Sequence, residues 1–184
     1  MIDIKSPRCE RCDCVSHFPN KHGVNNRLCA EHAAEDGVIP KYNPMASMAA
    51  CRAMCAMASE GVVFEHIHMN PTTMKWEGKE VSGLVAPRQH RPDGVKKNAD
   101  GEVTDTFFYH GNRFHGYPPD HELHESEVTM PRGHKANSRS LYEKTMSDMQ
   151  LFKDRGYTVS YMWEHEHKAA IKSRVPMMSI VRYL

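Results

Sequence analysis

The first forty residues constrain this chain most, because they hold four of its six cysteines and almost no apolar periodicity. A stretch of that kind cannot bury enough surface to fold unaided. A metal can take the place of the missing core. Cys9, Cys12, Cys14, Cys29 and His32 offer five ligands, where structural zinc takes four, thiolates and imidazoles, in a tetrahedron. Two sets fit a zinc knuckle joined to a short helix. One is Cys9, Cys12, Cys29 and His32; the other is Cys9, Cys14, Cys29 and His32. Either leaves Cys14 or Cys12 as the spare thiol. The sequence thus predicts a zinc-binding module over 1–40 and a second domain over 45–184. Lys41-Tyr42-Asn43-Pro44 joins them, with Pro44 able to start the next helix.

The second ligand set resembles a short Cys-Cys-Cys-His repeat of brown-algal and algal-virus proteins. In that repeat a Cys-x4-Cys pair and a Cys-x2-His pair precede a Gly-Met-Val-like stretch. Here Cys9-x4-Cys14 and Cys29-x2-His32 precede Gly37-Val38, across a slightly shorter gap. Cys51 and Cys55 are of another kind. They lie four residues apart in an Ala- and Met-rich segment, which points to core packing. No apolar run approaches the roughly 18 residues that cross a bilayer. Met1–Cys12 lacks the apolar core of a signal peptide. A reducing, intracellular compartment is expected, with no membrane partner, where cysteines serve as ligands or core rather than disulfides.

From Met45 onward the pattern alternates. Met45–Ser59 reads as a helix stopped by Gly61, and Val62–His68 as a strand. Lys79–Leu84 and Val103–His110 read as strands, the latter following the Ala99-Asp100-Gly101 turn. Residues 116–137 read as a long polar loop. Ser140 and Glu143 form a capping-box pattern, and Leu141, Thr145, Met149 and Phe152 share one helical face up to Gly156. Tyr157–Trp163 alternates like a half-buried strand. Helix, strand, strand, strand, helix, strand predicts an α/β fold, a mixed central sheet flanked by helices.

The chemistry concentrates in Phe107-Phe108-Tyr109-His110-Gly111-Asn112-Arg113-Phe114-His115-Gly116. A strand delivers His110, and His115 follows across a glycine turn. Two imidazoles at a strand end can act as an acid/base pair or contact a phosphate. Upstream, Asp93 stands at a strand edge, where a carboxylate and a backbone carbonyl can hold Mg2+. The net charge of +1 neither demands nor excludes nucleic acid. Arg88, Arg91, Lys96, Lys97, Arg113, Arg132, Lys135 and Arg139 nevertheless gather around these segments and could track phosphates. His66 and His68 read as strand residues, and His121, His124 and His134 as solvated loop positions. Glu164 reads as a strand end and Glu166 as surface.

Four segments resemble, in order, the very-short-patch-repair endonucleases and related phage and viral homing-type nucleases. They are Arg91-Pro92-Asp93, Phe108-Tyr109-His110-Gly111-x-x-Phe114-His115, Leu141-Tyr142-Glu143-Lys144-Thr145, and Gly156-Tyr157-x-Val159-x-x-Met162-Trp163-Glu164. The resemblance implies a PD-(D/E)XK restriction-endonuclease-like fold cutting DNA with Mg2+. Asp93 would be the metal carboxylate and the Tyr109 carbonyl a second ligand. His110 and His115 would flank the scissile phosphate. The chain departs from the family in three places. Phe114 replaces a tryptophan, Ser47–Ala53 carries no acidic residue, and Thr145 stands where some relatives have an aspartate. Glu80, or as a second choice Glu77, could supply the carboxylate that the first helix lacks. The same residues leave open an inactive nuclease fold that only binds nucleic acid or protein. A zinc-dependent hydrolase fits less well, for the chain has no H-E-x-x-H spacing.

Overall fold

The computed structural model describes residues 8–11, 16, 22, 27–36, 38, 47–70, 72–73, 75–85, 90–130 and 133–184. Cys12, Cys14, Arg88, Arg132 and the expected linker at 41–44 lie outside these residues. A short helix, α1 (Ala30–Glu35), precedes α2 (Met48–Ser59). Three two-residue strands follow: β1 (Glu65–His66), β2 (His68–Met69) and β3 (Trp76–Glu77). Then come β4 (Gly94–Lys97), β5 (Val103–His110) and a single helical turn, α3 (Asn112–His115). A small hairpin, β6 (Glu127–Thr129) and β7 (Lys135–Asn137), leads into α4 (Ser138–Asp154). The chain closes with β8 (Thr158–Trp163), α5 (Glu164–Ser173) and β9 (Arg182–Tyr183). Among the described residues no helix is long and apolar enough to cross a membrane.

The main sheet has five strands in the order β1-β4-β5-β8-β9. Only the β5–β8 pair is parallel; the other pairs are antiparallel. The expected mixed α/β sheet with flanking helices is therefore present. Side-chain alternation splits its core in two. Phe107, Tyr109 and Met162 face α2 and α5, packing with Met54, Met57 and Ala170. Phe108, Val159, Tyr161 and Trp163 face α4, packing with Met149 and Phe152. Because helices cover both faces, Val159–Trp163 is buried throughout rather than half-buried as its alternation predicts.

Other expectations shift for identifiable reasons. The hairpin partner of β5 is β4, not Lys79–Leu84, which forms no strand. Since β5 already pairs with β4 and β8 on its two edges, it has no edge left for that segment. The expected strand over Val62–His68 breaks at Ile67: β1 pairs with β4, and β2 pairs with β3 in a separate ribbon. α4 begins two residues early. Asn137 caps it, its Oδ1 accepting from Ser140 N at 3.1 Å, so the Ser140/Glu143 pattern falls inside the helix. Glu143 instead pairs with Arg139. The long polar loop contains the β6–β7 hairpin.

The cysteine-rich segment does not stand apart. Cys9, Leu28, Cys29 and Ala33 bury together with Met69 of β2, and Trp76 of β3 packs against them. Trp76 also packs against Cys51 and Ile67. The β2–β3 ribbon thus lies between the N-terminal cluster and α2.

Gly116 holds α3 against α4. Its φ of 72° and ψ of −173° lie where only glycine is comfortable. A Cβ there would meet Ser138 O at 2.1 Å and Tyr142 N at 2.8 Å, both backbone atoms. Gly116→Ala is expected to lower stability by about 2 kcal/mol or more. Thermal or urea unfolding checks this, and a wild-type midpoint would refute it.

Candidate active site

β-sheet register assembles the site. Gly94 pairs with Phe107, which sets the preceding Asp93 beside the end of β5. Asp93 N donates to Phe107 O at 2.9 Å, and Tyr109 N donates to Asp93 Oδ2 at 2.8 Å. Gly111 then turns the chain into α3, which returns His115 to His110 with ring centroids 4.6 Å apart. A cleft of about 630 Å3 opens here. Asp93, Tyr109, His110, His115, Arg91 and Arg113 line it, with Ser47–Ala49 at the start of α2. Sequence reasoning placed the first four of these together, and the fold brings them to one cavity.

The two histidines differ in exposure. His110 is only 3% exposed, with Nε2 3.1 Å from Met149 Sδ and a buried Nδ1 without a partner among the described residues. Burial, with His115 beside it, holds its pKa well below the ordinary imidazole value. His115 is half-buried and open to the cleft. Its Nδ1 lies 3.1 Å from Thr145 Oγ1, while that hydroxyl donates to His115 O at 3.5 Å. A hydroxyl has one proton. Given to the carbonyl, it leaves a lone pair to accept Nδ1–H, so Nε2 is left as the free base. Burial lowers the pKa of His115, partly offset by Asp148 and reinforced by Lys144. Thr145 therefore holds the His115 ring from α4, and Asp148 stands one turn further along that helix.

The carboxylates sort differently from expectation. Burial pushes Asp93 up to about 7, against the Tyr109 N–H and with Glu80 adding to the rise. Glu80 itself is raised by burial and eased by Arg91, whose Nη1 lies 3.8 Å from its Oε2. It does not line the cleft but stands behind Arg91. The second carboxylate on the cleft is Glu164, read from sequence as a strand end. His110 is in parallel register with Trp163, so the residues after each, Gly111 and Glu164, emerge side by side. Glu164 Oε2 accepts from Asn112 N at 3.2 Å. Burial favours its protonation, but hydrogen bonds from Lys168 and the Asn112 N–H hold it below the usual carboxylate range. The usable signal was the Gly111 and Glu164 positions, each at the end of a strand.

Of the basic residues read as phosphate contacts, Arg91 and Arg113 line the cleft. Lys97, Lys135 and Arg139 are paired with Glu65, Glu127, and Glu125 and Glu143.

In the N-terminal segment, Cys9 Sγ and Cys29 Sγ lie 3.2 and 3.3 Å from His32 Nδ1. All three ligand atoms fall within 4.8 Å of one another, a group that could hold a metal ion. Tetrahedral zinc, with Zn–S near 2.3 Å and Zn–N near 2.0 Å, sets S and N about 3.5 Å apart. The separations here are close to that.

No family profile, curated protein or solved structure matches this chain.

Two outcomes follow from this geometry. Free aspartate titrates near 3.8, and Asp93 in the fold near 7. Its ionised form therefore opposes folding in the metal-free protein. The contribution of Asp93 to stability is full below about pH 4 and is lost as pH rises through about 7, with about 4 kcal/mol as the ceiling. Asp93→Asn keeps an acceptor for Tyr109 N and should flatten that dependence in EDTA. Melting curves from pH 4 to 8 test it, and identical slopes would sink the assignment. Separately, Cys29→Ser should cost the reduced protein one equivalent of zinc by elemental analysis. It should also loosen the ribbon around Met69 and Trp76, visible as faster amide exchange. Unchanged zinc content would rule out this ligand set.

Proposed function

We propose that the chain is a Mg2+-dependent DNA endonuclease of PD-(D/E)XK-like fold, acting inside a cell, with a zinc module at its N-terminus. One observation carries this reading: Asp93, Tyr109, His110 and His115 share a single cleft rimmed by Arg91 and Arg113. Hard oxygen donors suit Mg2+. A carboxyl pushed up to about 7 by burial is one that a cation would favour in its ionised form. Asp93 and the Tyr109 carbonyl would hold the ion, with Glu164 a further carboxylate on the same wall. Bound there, magnesium supplies positive charge against the phosphoryl oxygens.

The protein's own groups account for the proton movements. His115 Nε2, left as a base by Thr145, takes a proton from the attacking water. The new bond forms from that water oxygen to phosphorus, and the bond from phosphorus to the leaving oxygen breaks. That oxygen then gains a proton from solvent. His110, buried and neutral, packs against His115 and keeps it in place rather than exchanging protons with solvent. Arg91 and Arg113 hold the phosphate backbone.

A second reading has its own support. The start of α2 brings Ser47, Met48 and Ala49 to the cleft and no carboxylate. That favours a nuclease fold retained only for binding DNA.

Supercoiled plasmid and mismatched or branched duplexes, incubated with Mg2+, Mn2+ or EDTA, separate the two readings. Asp93→Ala should abolish cleavage. His115→Ala should slow it by roughly 10²–10⁴, with a much smaller loss of DNA affinity, which phosphate contacts dominate. Since burial lowers the pKa of His115, the wild-type rate should hold through neutral pH. It should fall only as the pH drops below the ordinary imidazole range. Equal losses of binding and cleavage, or no cleavage by the wild type in any metal, would favour the binding module.

A further inference from the structure

A second cavity, of about 780 Å3, shares no lining residue with the cleft. It lies between the C-terminal half of α2, residues 63–69 and residues 78–81, and Val63, Phe64, Met69 and Val81 make its walls largely apolar. A thiol and two imidazoles reach it, from Cys55, His66 and His68, with the carboxylate of Glu65 at its lining as well. From sequence, Cys55 reads as core and the histidines as strand residues. Neither β1 nor β2 needs an imidazole for its backbone pairing.

The imidazoles are held in a particular way. His66 Nδ1 lies 2.7 Å from Phe64 O, and His68 Nδ1 lies 3.2 Å from His66 O. A carbonyl can only accept, so each Nδ1 carries the proton and each Nε2 presents a lone pair. Anchoring of Nδ1–H to a backbone carbonyl is the usual support of a metal-ligating histidine. Cys55 Sγ lies 3.5 Å from His66 Nε2. That is the S-to-N edge of a zinc tetrahedron, about 3.5 Å. The His66 and His68 rings are 5.4 Å apart, centroid to centroid.

We propose that Cys55, His66 and His68 form a second metal site, for Zn2+ or a similar thiophilic divalent ion, with water in the remaining position. The Cys55–His66 edge is already in place. His68 is not: among the described residues, only Cys9, Cys29 and His32 bring three ligand atoms within 4.8 Å of one another. His68, half-buried beside open cavity, closes the set by turning its side chain, exchanging its contact with the His66 carbonyl for the metal. On binding, the Sγ–H bond breaks, its proton passes to bulk water and an Sγ–metal bond forms; nothing is oxidised or reduced. Of the two lysines that line the cavity, Lys79 and Lys97, the latter is paired with Glu65 at 2.7 Å. The site stands whether or not the chain cuts DNA.

The test is titration of the reduced full-length protein with Co2+, followed by the thiolate-to-cobalt charge-transfer band and the visible d–d bands. An ion held only by oxygen at Asp93 gives no thiolate band, so the cleft cannot mimic the result. In a Cys29→Ser background, which disables the N-terminal ligand set, one thiolate-bound cobalt should remain. Adding Cys55→Ser should remove it. Should that double variant fail to fold, His68→Gln on the half-exposed ligand serves instead, and should weaken the remaining cobalt by at least tenfold. No thiolate band in the Cys29→Ser protein would overturn the proposal. So would a band indifferent to Cys55→Ser and His68→Gln; Cys55 would then be no more than a hydrogen-bond donor to His66.

Discussion

The parallel pairing of β5 with β8 is the interaction on which the rest depends. It joins two strands separated by the whole of α3, the β6–β7 hairpin and α4, and its ladder runs from Asp105 and Thr158 to His110 and Trp163. Such a pair must be covered on both faces, and here α2 with α5 covers one face and α4 the other. The same ladder brings both strands to a common end. There Gly111 opens the turn to His115, and Glu164 starts α5. Position at the carboxyl ends of adjacent strands is what gives this sheet a cleft.

Burial governs the chemistry of the cleft more than paired charges do. Asp93, His110 and His115 are all shifted chiefly by desolvation, the carboxyl upward and the imidazoles downward. Each shift favours the uncharged form. The Cys55–His66 pair shows the same physics in a separate cavity.

Much of this was legible in the sequence, and the failures have physical causes. Asp93, His110 and His115 could be grouped because each adjoins a strand end or a turn, and such punctuation survives in sequence. Glu80 was reached through a segment read as a strand; that segment forms none, and Glu80 stands against Arg91 with its charge still felt at Asp93. Glu164 was passed over because its place depends on a register between strands far apart in sequence. Leu141, Thr145, Met149 and Phe152 were correctly given one face of α4, though only Thr145, Met149 and Phe152 are fully buried. The capping residue was missed by three positions, since Asn137 and Ser140 can each cap a helix and only the hairpin before them decides.

By itself, the sequence determined the periodic elements, the alternation that divides the sheet's two faces, and the residue types able to bind metal or move protons. Those properties are local: helix propensity, side-chain parity and donor chemistry belong to a few neighbouring residues. Tertiary structure decided which of these residues meet. It joined Met69 and Trp76 to the cysteine cluster, turned Glu80 towards Arg91, and set His115 against Thr145. It also set Cys55 against His66 across the gap between a helix and a strand. Each of those outcomes depends on strand register and helix placement, which are settled by burying both faces of one sheet at once.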